Sequence, residues 1–326
     1  MKSFYDLSPL IWNIILKKLK HNKSKTTIVD VGARNGMFLL PKEYCKICNL
    51  IGFEPNQSEY KKLIQNKTDA KKIYTEPSFL SRTYFNKALW KRKCKKKFFI
   101  TKGTGASTLM GESEENTSEM FLLNSKNSYK DEHTEVSKVE MVNCEKLDNI
   151  ISNKEIDFLK LDTEGSELSI LEGATDLLKK QKILMIKCEF VFFKYYRDHI
   201  IFGDLHSFLD SFGYRLLAID LDQPKYSPLK NNIPIQNDKG LNYAGDAYFC
   251  IDFHKKEIGK EKCLRLGAIS FALGFNNLGL FFLNKSGNFN KKELGIIITS
   301  LSKVSILRKI TDFWKKIPSF IYNLTR

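Results

Sequence analysis

The 326-residue chain has no run of the roughly 18 to 20 apolar residues that a membrane-spanning helix needs. Its N-terminal apolar run, Leu10 to Leu16, is interrupted by Asn13 and closed by Lys17, Lys18 and Lys20 without a small-residue cleavage site, so it makes a poor secretion signal. Ser8 to Leu19 suits a short amphipathic helix instead, with Ser8 as N-cap and Pro9 at the first helical position. A second C-x-x-C is also missing. Cys45 and Cys48 alone leave a zinc site two ligands short, and an odd total of seven cysteines reads as reduced thiols in the cytosol. Acidic residues are scarce: 37 against 53 Lys and Arg give a formal charge of +16. That balance points to an anionic partner, whether a nucleotide-activated sugar, a lipid-linked glycan, nucleic acid or a membrane surface. No basic stretch interleaved with aromatics marks a nucleic-acid module, so no specific nucleic acid is expected.

What the chain does have is TTIVDVGARNG, from Thr26 to Gly36. Thr27, Ile28, Val29 and Val31 form a β-branched run suited to a buried strand, and Gly32 and Gly36 bracket Ala33, Arg34 and Asn35 in a turn able to approach a ligand closely. A G-x-G-x-x-G dinucleotide fingerprint would need glycine where Arg34 stands. Asp30, leading into the turn, suits the α-ammonium group of S-adenosylmethionine (SAM) better than a pyrophosphate, although a plain strand-to-helix turn would have the same form.

Downstream, a helix is expected from about Gly36 to Pro41, then a second strand, Leu50 to Phe53, that ends on Glu54 before Pro55. A carboxylate there can accept hydrogen bonds from both ribose hydroxyls. After a helix at Ser58 to Gln65, a third strand, Tyr84 to Leu89, brings its end, Asn86 to Trp90, beside an adenine. The basic run Lys91 to Lys97 reads as a solvated hairpin loop, followed by a strand at Lys97 to Thr101, the small-residue loop Gly103 to Leu109 and a polar lid or loop from Gly111 to Lys138. Further strands are Val139 to Cys144, Ile156 to Gly165, Ile183 to Cys188, Tyr214 to Asp220 and Asp246 to Phe253, with helices at Glu145 to Ile151, Ser166 to Leu178 and Leu205 to Phe212. Asp162, Glu164 and Glu189 fall at strand ends, where open α/β sheets bind their ligands. His199 and His206 are alternative bases.

These segments resemble the FkbM family of SAM-dependent methyltransferases. The matching stretches are VDVGARNG at Val29 to Gly36, GFEPN at Gly52 to Asn56, the Ala88-Leu89 step, Ser107-Thr108-Leu109, FLKLDTEGSELSILEGA at Phe158 to Ala174, and GDAYF at Gly245 to Phe249. Arg34 stands where family members commonly have Asn, and Ser107-Thr108 where they have Ser-Ser. The resemblance implies a Rossmann-like class I fold with a seven-stranded, mostly parallel doubly wound sheet, and O-methylation of a sugar or natural-product hydroxyl. Asp30, Gly32, Ala33, Arg34, Gly36, Glu54, Pro55, Lys87, Ala88 and Leu89 are then expected to hold SAM. Asp162, Glu164 and Glu189 are expected to activate the acceptor as a base with its partners, or as oxygen ligands of Mg²⁺.

The expected partition is an N-terminal helix over 1–25, a methyltransferase domain over 26–254 and a basic helical extension over 255–326. The extension has 14 Lys and Arg against 4 Asp and Glu. Within it Val304, Leu307, Ile310, Trp314, Ile317, Ile321 and Leu324 recur at helical spacing, with Pro318 as a kink. Such a stripe suits docking on the sheet domain or a homodimer seam, or else a peripheral contact with the inner membrane face of a cytoplasmic protein.

Overall fold

In the computed structural model, residues 9–72, 76–111, 135–152, 154–194, 199–221, 242–255 and 257–302 are described. Residues 112–134 of the expected lid, Gly111 to Lys138, and the apolar stripe from Val304 to Leu324 lie outside them, while Val136 to Lys138 open a strand rather than close a loop. Two compact units emerge.

The larger unit, Thr26–Phe38 with Cys48–Glu257, is built on a seven-stranded sheet. Its centre is β1 (Thr26–Val31), buried along its whole length as the β-branched run requires. β1 pairs in parallel with β2 (Cys48–Phe53) on one side and with β7 (Ile156–Leu161) on the other. β3 (Ser81–Phe85) lies beyond β2, and β8 (Ile183–Val191) beyond β7, both parallel. β10 (Ala244–Ile251) then runs antiparallel between β8 and β9 (Tyr214–Leu221). The order β3-β2-β1-β7-β8-β10-β9 is the mostly parallel seven-stranded arrangement expected from the sequence. Ile28, Val29, Phe158, Leu159, Leu161 and Ile183 to Ile186 are all inaccessible, so the core lies on both faces of these central strands.

A second, three-stranded sheet was not foreseen. It contains β4 (Ala88–Leu89), β6 (Val136–Glu145) and β5 (Cys94–Thr101), in that order, around Trp90, Phe98, Leu109 and Val142. The expected strand Tyr84 to Leu89 is therefore split between two sheets. Asn86 breaks it by donating both amide hydrogens, to the carbonyls of Glu54 (2.9 Å) and Pro55 (3.0 Å). The basic run is only partly loop: Cys94 to Lys97 belong to β5, and Lys96 lies 3.9 Å above the Trp90 ring.

Two helix expectations need correction. No helix begins at Gly36, because Asn35 and Gly36 both adopt positive φ (73° and 93°), which a right-handed helix cannot accommodate. Pro41 instead precedes a single turn, α2 (Lys42–Cys45). The helix expected over Ser166 to Leu178 is two, α5 (Glu167–Glu172) and α6 (Thr175–Lys179), because the chain closes on the Trp90 carbonyl at Gly173, where a Cβ would sit 2.3 Å from that oxygen. α3 (Gln57–Ile64), α4 (Leu147–Ile151) and α7 (Phe202–Ser211) form close to where the pattern placed them, α3 capped by the Asn56 side chain.

The smaller unit gathers Met1–Lys25, Leu39–Ile47 and Ile258–Arg326. α1 (Pro9–His21) buries Ile11, Trp12, Ile15 and Leu19 on one stripe, and Trp12 meets Tyr44 of α2 at 5.7 Å between ring centroids. α8 (Lys260–Ala272) and α9 (Asn276–Ser286) approach closely through glycines: a Cβ on Gly267 would lie 2.4 Å from Leu283, and one on Gly279 2.6 Å from Phe271. All seven cysteines are free thiols.

Candidate functional site

The carboxyl ends of β1, β2 and β7, with β4 and the loop before Leu109, enclose a cavity of about 190 Å³. Its floor is the glycine turn. Gly32 (φ 78°) and Ala33 both donate their N–H groups to the Phe53 carbonyl, at 3.1 and 3.0 Å, and the Asp162 N–H reaches back to the Val31 carbonyl at 3.2 Å. Of the expected cofactor residues, Gly32, Arg34, Glu54, Pro55, Lys87, Ala88 and Leu89 line this cavity; Asp30, Ala33 and Gly36 do not. Ala33 is inaccessible, with its Cβ against Gly52, and Gly36 packs on Glu76. Asp30 is 1% exposed and faces Lys160 rather than the cavity.

Glu54 follows β2 and is 4% exposed. Its Oε1 accepts the Asn56 N–H at 2.7 Å, and the Arg34 backbone N–H also points at the carboxylate. Burial pushes its pKa up to about 7, and Glu59 adds to the rise. Glu59 in turn lies 3.7 Å from the Arg34 guanidinium.

Across the cavity, the turn after β7 reads Asp162, Thr163, Glu164, Gly165. Glu164 is left-handed (φ 56°), as is Gly165 (φ 106°). Glu167, rather than Glu164, ties this turn: one oxygen accepts from the Thr163 N–H (2.7 Å) and hydroxyl (2.8 Å), the other from the Gly165 N–H (3.0 Å). The Thr108 hydroxyl donates to the Glu164 carbonyl at 2.7 Å, which brings the small-residue loop to the cavity wall.

Asp162 and Glu164 line the cavity, and carboxylate oxygens of Asp162, Glu164 and Glu189 come within 4.8 Å of one another. Glu189 lies inside β8 rather than at its end, opposite Asp246 of β10, and is not part of the cavity lining. Burial, then the neighbouring Glu164 and Asp162, raise it well above the usual carboxylate range. Asp162 moves the other way, because the Lys160 ammonium beside it outweighs its burial.

Lys160 is the cavity residue that the sequence reading overlooked. Its ammonium lies 3.2 Å from Asp30 Oδ1 and 3.0 Å from Asp162 Oδ2. A lysine between Leu159 and Leu161 in an otherwise apolar strand was the available signal, since such a charge needs a partner. Burial alone would lower Lys160, but Asp162 and Asp30 together hold it above its ordinary range.

The histidines stand apart. His199 is buried beside Gly165, and burial lowers it to about 4, so it is neutral and weakly basic. His206 stacks on Phe202 (5.8 Å) and Phe249 (6.2 Å), a packing role.

The donor set fits SAM. Glu54 offers a buried carboxylate to a ribose diol, Ala88, Leu89 and Phe53 offer apolar contact to a base, and Asp162 and Glu164 add negative charge to the same cavity. The Methyltransferase FkbM domain matches residues 30–216. No curated protein matches the chain. Among solved structures it is similar to the crystal structure of magnesium protoporphyrin IX methyltransferase from Synechocystis PCC 6803 with bound SAM, at 8% identity and a TM-score of 0.34, over 74% of this chain and 77% of that one.

Proposed function

Given that the chain belongs to the FkbM family of SAM-dependent methyltransferases, we propose that it methylates a hydroxyl oxygen on a sugar, in a surface glycan or a related anionic or lipid-linked metabolite. Bound SAM supplies an electrophilic methyl group on a sulfonium. The observation that carries the reading is the half-exposed Asp162, held ionised beside Glu164 in the same cavity as Glu54. A sugar hydroxyl is a poor nucleophile until its proton leaves, and a carboxylate in hydrogen-bond reach can take that proton as the new bond forms. Asp162 acts as this base, Glu164 orients the hydroxyl, and Glu54 holds the ribose. The excess of basic residues supports an anionic acceptor.

Mass spectrometry of a panel of sugars, nucleotide-activated sugars and lipid-linked glycans incubated with enzyme and SAM tests the acceptor class. Gain of one methyl on a sugar oxygen is expected; methylation confined to lipid or polyketide hydroxyls would replace the reading. Activity should be indifferent to EDTA where Asp162 takes the proton directly. A loss restored by Mg²⁺ would turn the three carboxylates into its ligands.

Glu54 yields a pH prediction. Its folded pKa of about 7 exceeds the unfolded value near 4.5. The stability it contributes is therefore full below about 4.5 and is lost as pH rises through about 7, to the extent of about 3 kcal/mol. SAM binding runs the opposite way, because a diol donates best to the ionised carboxylate. Calorimetry should find SAM roughly tenfold tighter at pH 8 than at pH 6. Glu54→Gln should flatten that dependence, and Glu54→Ala should weaken SAM about 10- to 100-fold. An unchanged pH slope in Glu54→Gln would remove Glu54 from the ribose site.

A further inference from the structure

We propose that Lys160 is a positioning residue for methyl transfer, its ammonium clamping the Asp162 carboxylate at the cavity wall from an anchor on Asp30. This inference rests on Asp162 serving the acceptor, as proposed above.

The strand register sets up the clamp. Asp30 of β1, Lys160 of β7 and Lys187 of β8 are direct register partners, so they stand in one row on one face of the sheet. Two lysines side by side repel unless each has its own carboxylate. The structure divides the partners accordingly: Lys187 pairs with Asp246 of β10, and Lys160 with Asp30 and Asp162. Burial alone explains only half of this. Asp30, 1% exposed, needs a cation and finds one in Lys160. Asp162 does not need one, because its side chain is 42% exposed and solvated. Yet Lys160, with only 16% of its side chain accessible, reaches from one to the other. Of the two anchors one is rigid, inside the central strand; the other is the first residue past β7, in the turn with Glu164. Lys160 engages Oδ2 of Asp162, so Oδ1 is the oxygen that a hydroxyl meets.

A clamp and a plain charge-neutralising pair make different predictions. Lys160→Met alone strands Asp30 in the core and is expected to unfold much of the protein. The double variant Asp30→Asn, Lys160→Met removes both buried charges together, so it should fold with a near-wild-type Tm. Its crystal structure should show β1 and β7 in register and the Asp162 side chain turned from its wild-type position. Lys160→Arg, which preserves the reach, should keep Asp162 in place. A double variant whose Asp162 has not moved overturns the clamp and leaves the catalytic assignment intact. Taking Asp162→Asn through the same acceptor panel separates the two claims from the other side: retained methylation removes Asp162 from catalysis, while a displaced Asp162 in the double variant still establishes the clamp.

Discussion

Asp162→Asn is expected to lower kcat by about 10²- to 10⁴-fold, the range that a positioned general base supplies, while SAM affinity stays within a small factor. The substitution is nearly isosteric. It keeps an oxygen for Lys160 and removes only the charge and the basicity. Glu164→Gln should cost less, because Glu164 orients the hydroxyl from the same turn and does not take its proton. The sign for Asp162 is the ordinary carboxylate one: its lowered pKa contributes stability above the unfolded value, lost as pH falls through the folded one. Asp162 is consequently ionised throughout the neutral range but a weak base, so the proton reaches it only as the new C–O bond forms and the hydroxyl oxygen becomes acidic. Full turnover in the Asp162→Asn, Glu164→Gln double variant would show that other groups activate the acceptor.

Gly32→Ala should be the most damaging small substitution in the sheet unit. At φ 78° any L side chain is strained, and a Cβ would lie 1.9 Å from the Asp162 carbonyl oxygen, so the turn and β7 cannot both stay in place. Left-handed strain and the collision together should cost about 3 kcal/mol or more, a fall in Tm of roughly 10 °C. SAM affinity should fall with it, since Gly32 forms the cavity floor. A variant that melts within about 2 °C of wild type and binds SAM normally would mean that the turn relaxes at little cost.

Most of the sheet could be read from the sequence because its strands are short, apolar and followed by a glycine or an acid. The β1 run, Glu54 after β2 and the Asp162–Glu164 turn after β7 all carry that signature, and they converge in one cavity. What escaped depends on partners distant in the chain. β4, β5 and β6 form a separate sheet that local periodicity cannot distinguish from extra strands of the main one. The antiparallel direction of β10 leaves no mark on its composition. Asp30 stands before the glycines, where a cofactor ligand is expected, and its carboxylate meets the Lys160 ammonium at 3.2 Å, a partner on β7 that the local stretch does not reveal. Glu189 followed the same reasoning, and the extension of β8 to Val191 put it within the strand. Its raised pKa arises from neighbours on other elements, which no single stretch reveals.

The central place of β1 also bears on how the protein is made. During synthesis β1 emerges early and β2 soon after, but β7, which covers its other side, follows only after β3, β4, β5 and β6 have left the ribosome. Until then a nascent chain carries a β-branched strand with an open hydrogen-bonding edge, a form prone to pairing with another copy. β9 waits in the same way, because β10, its sole neighbour in the sheet, is translated after it. Contacts this remote in sequence form slowly, so the yield of active protein should depend on the chaperones available to the growing chain.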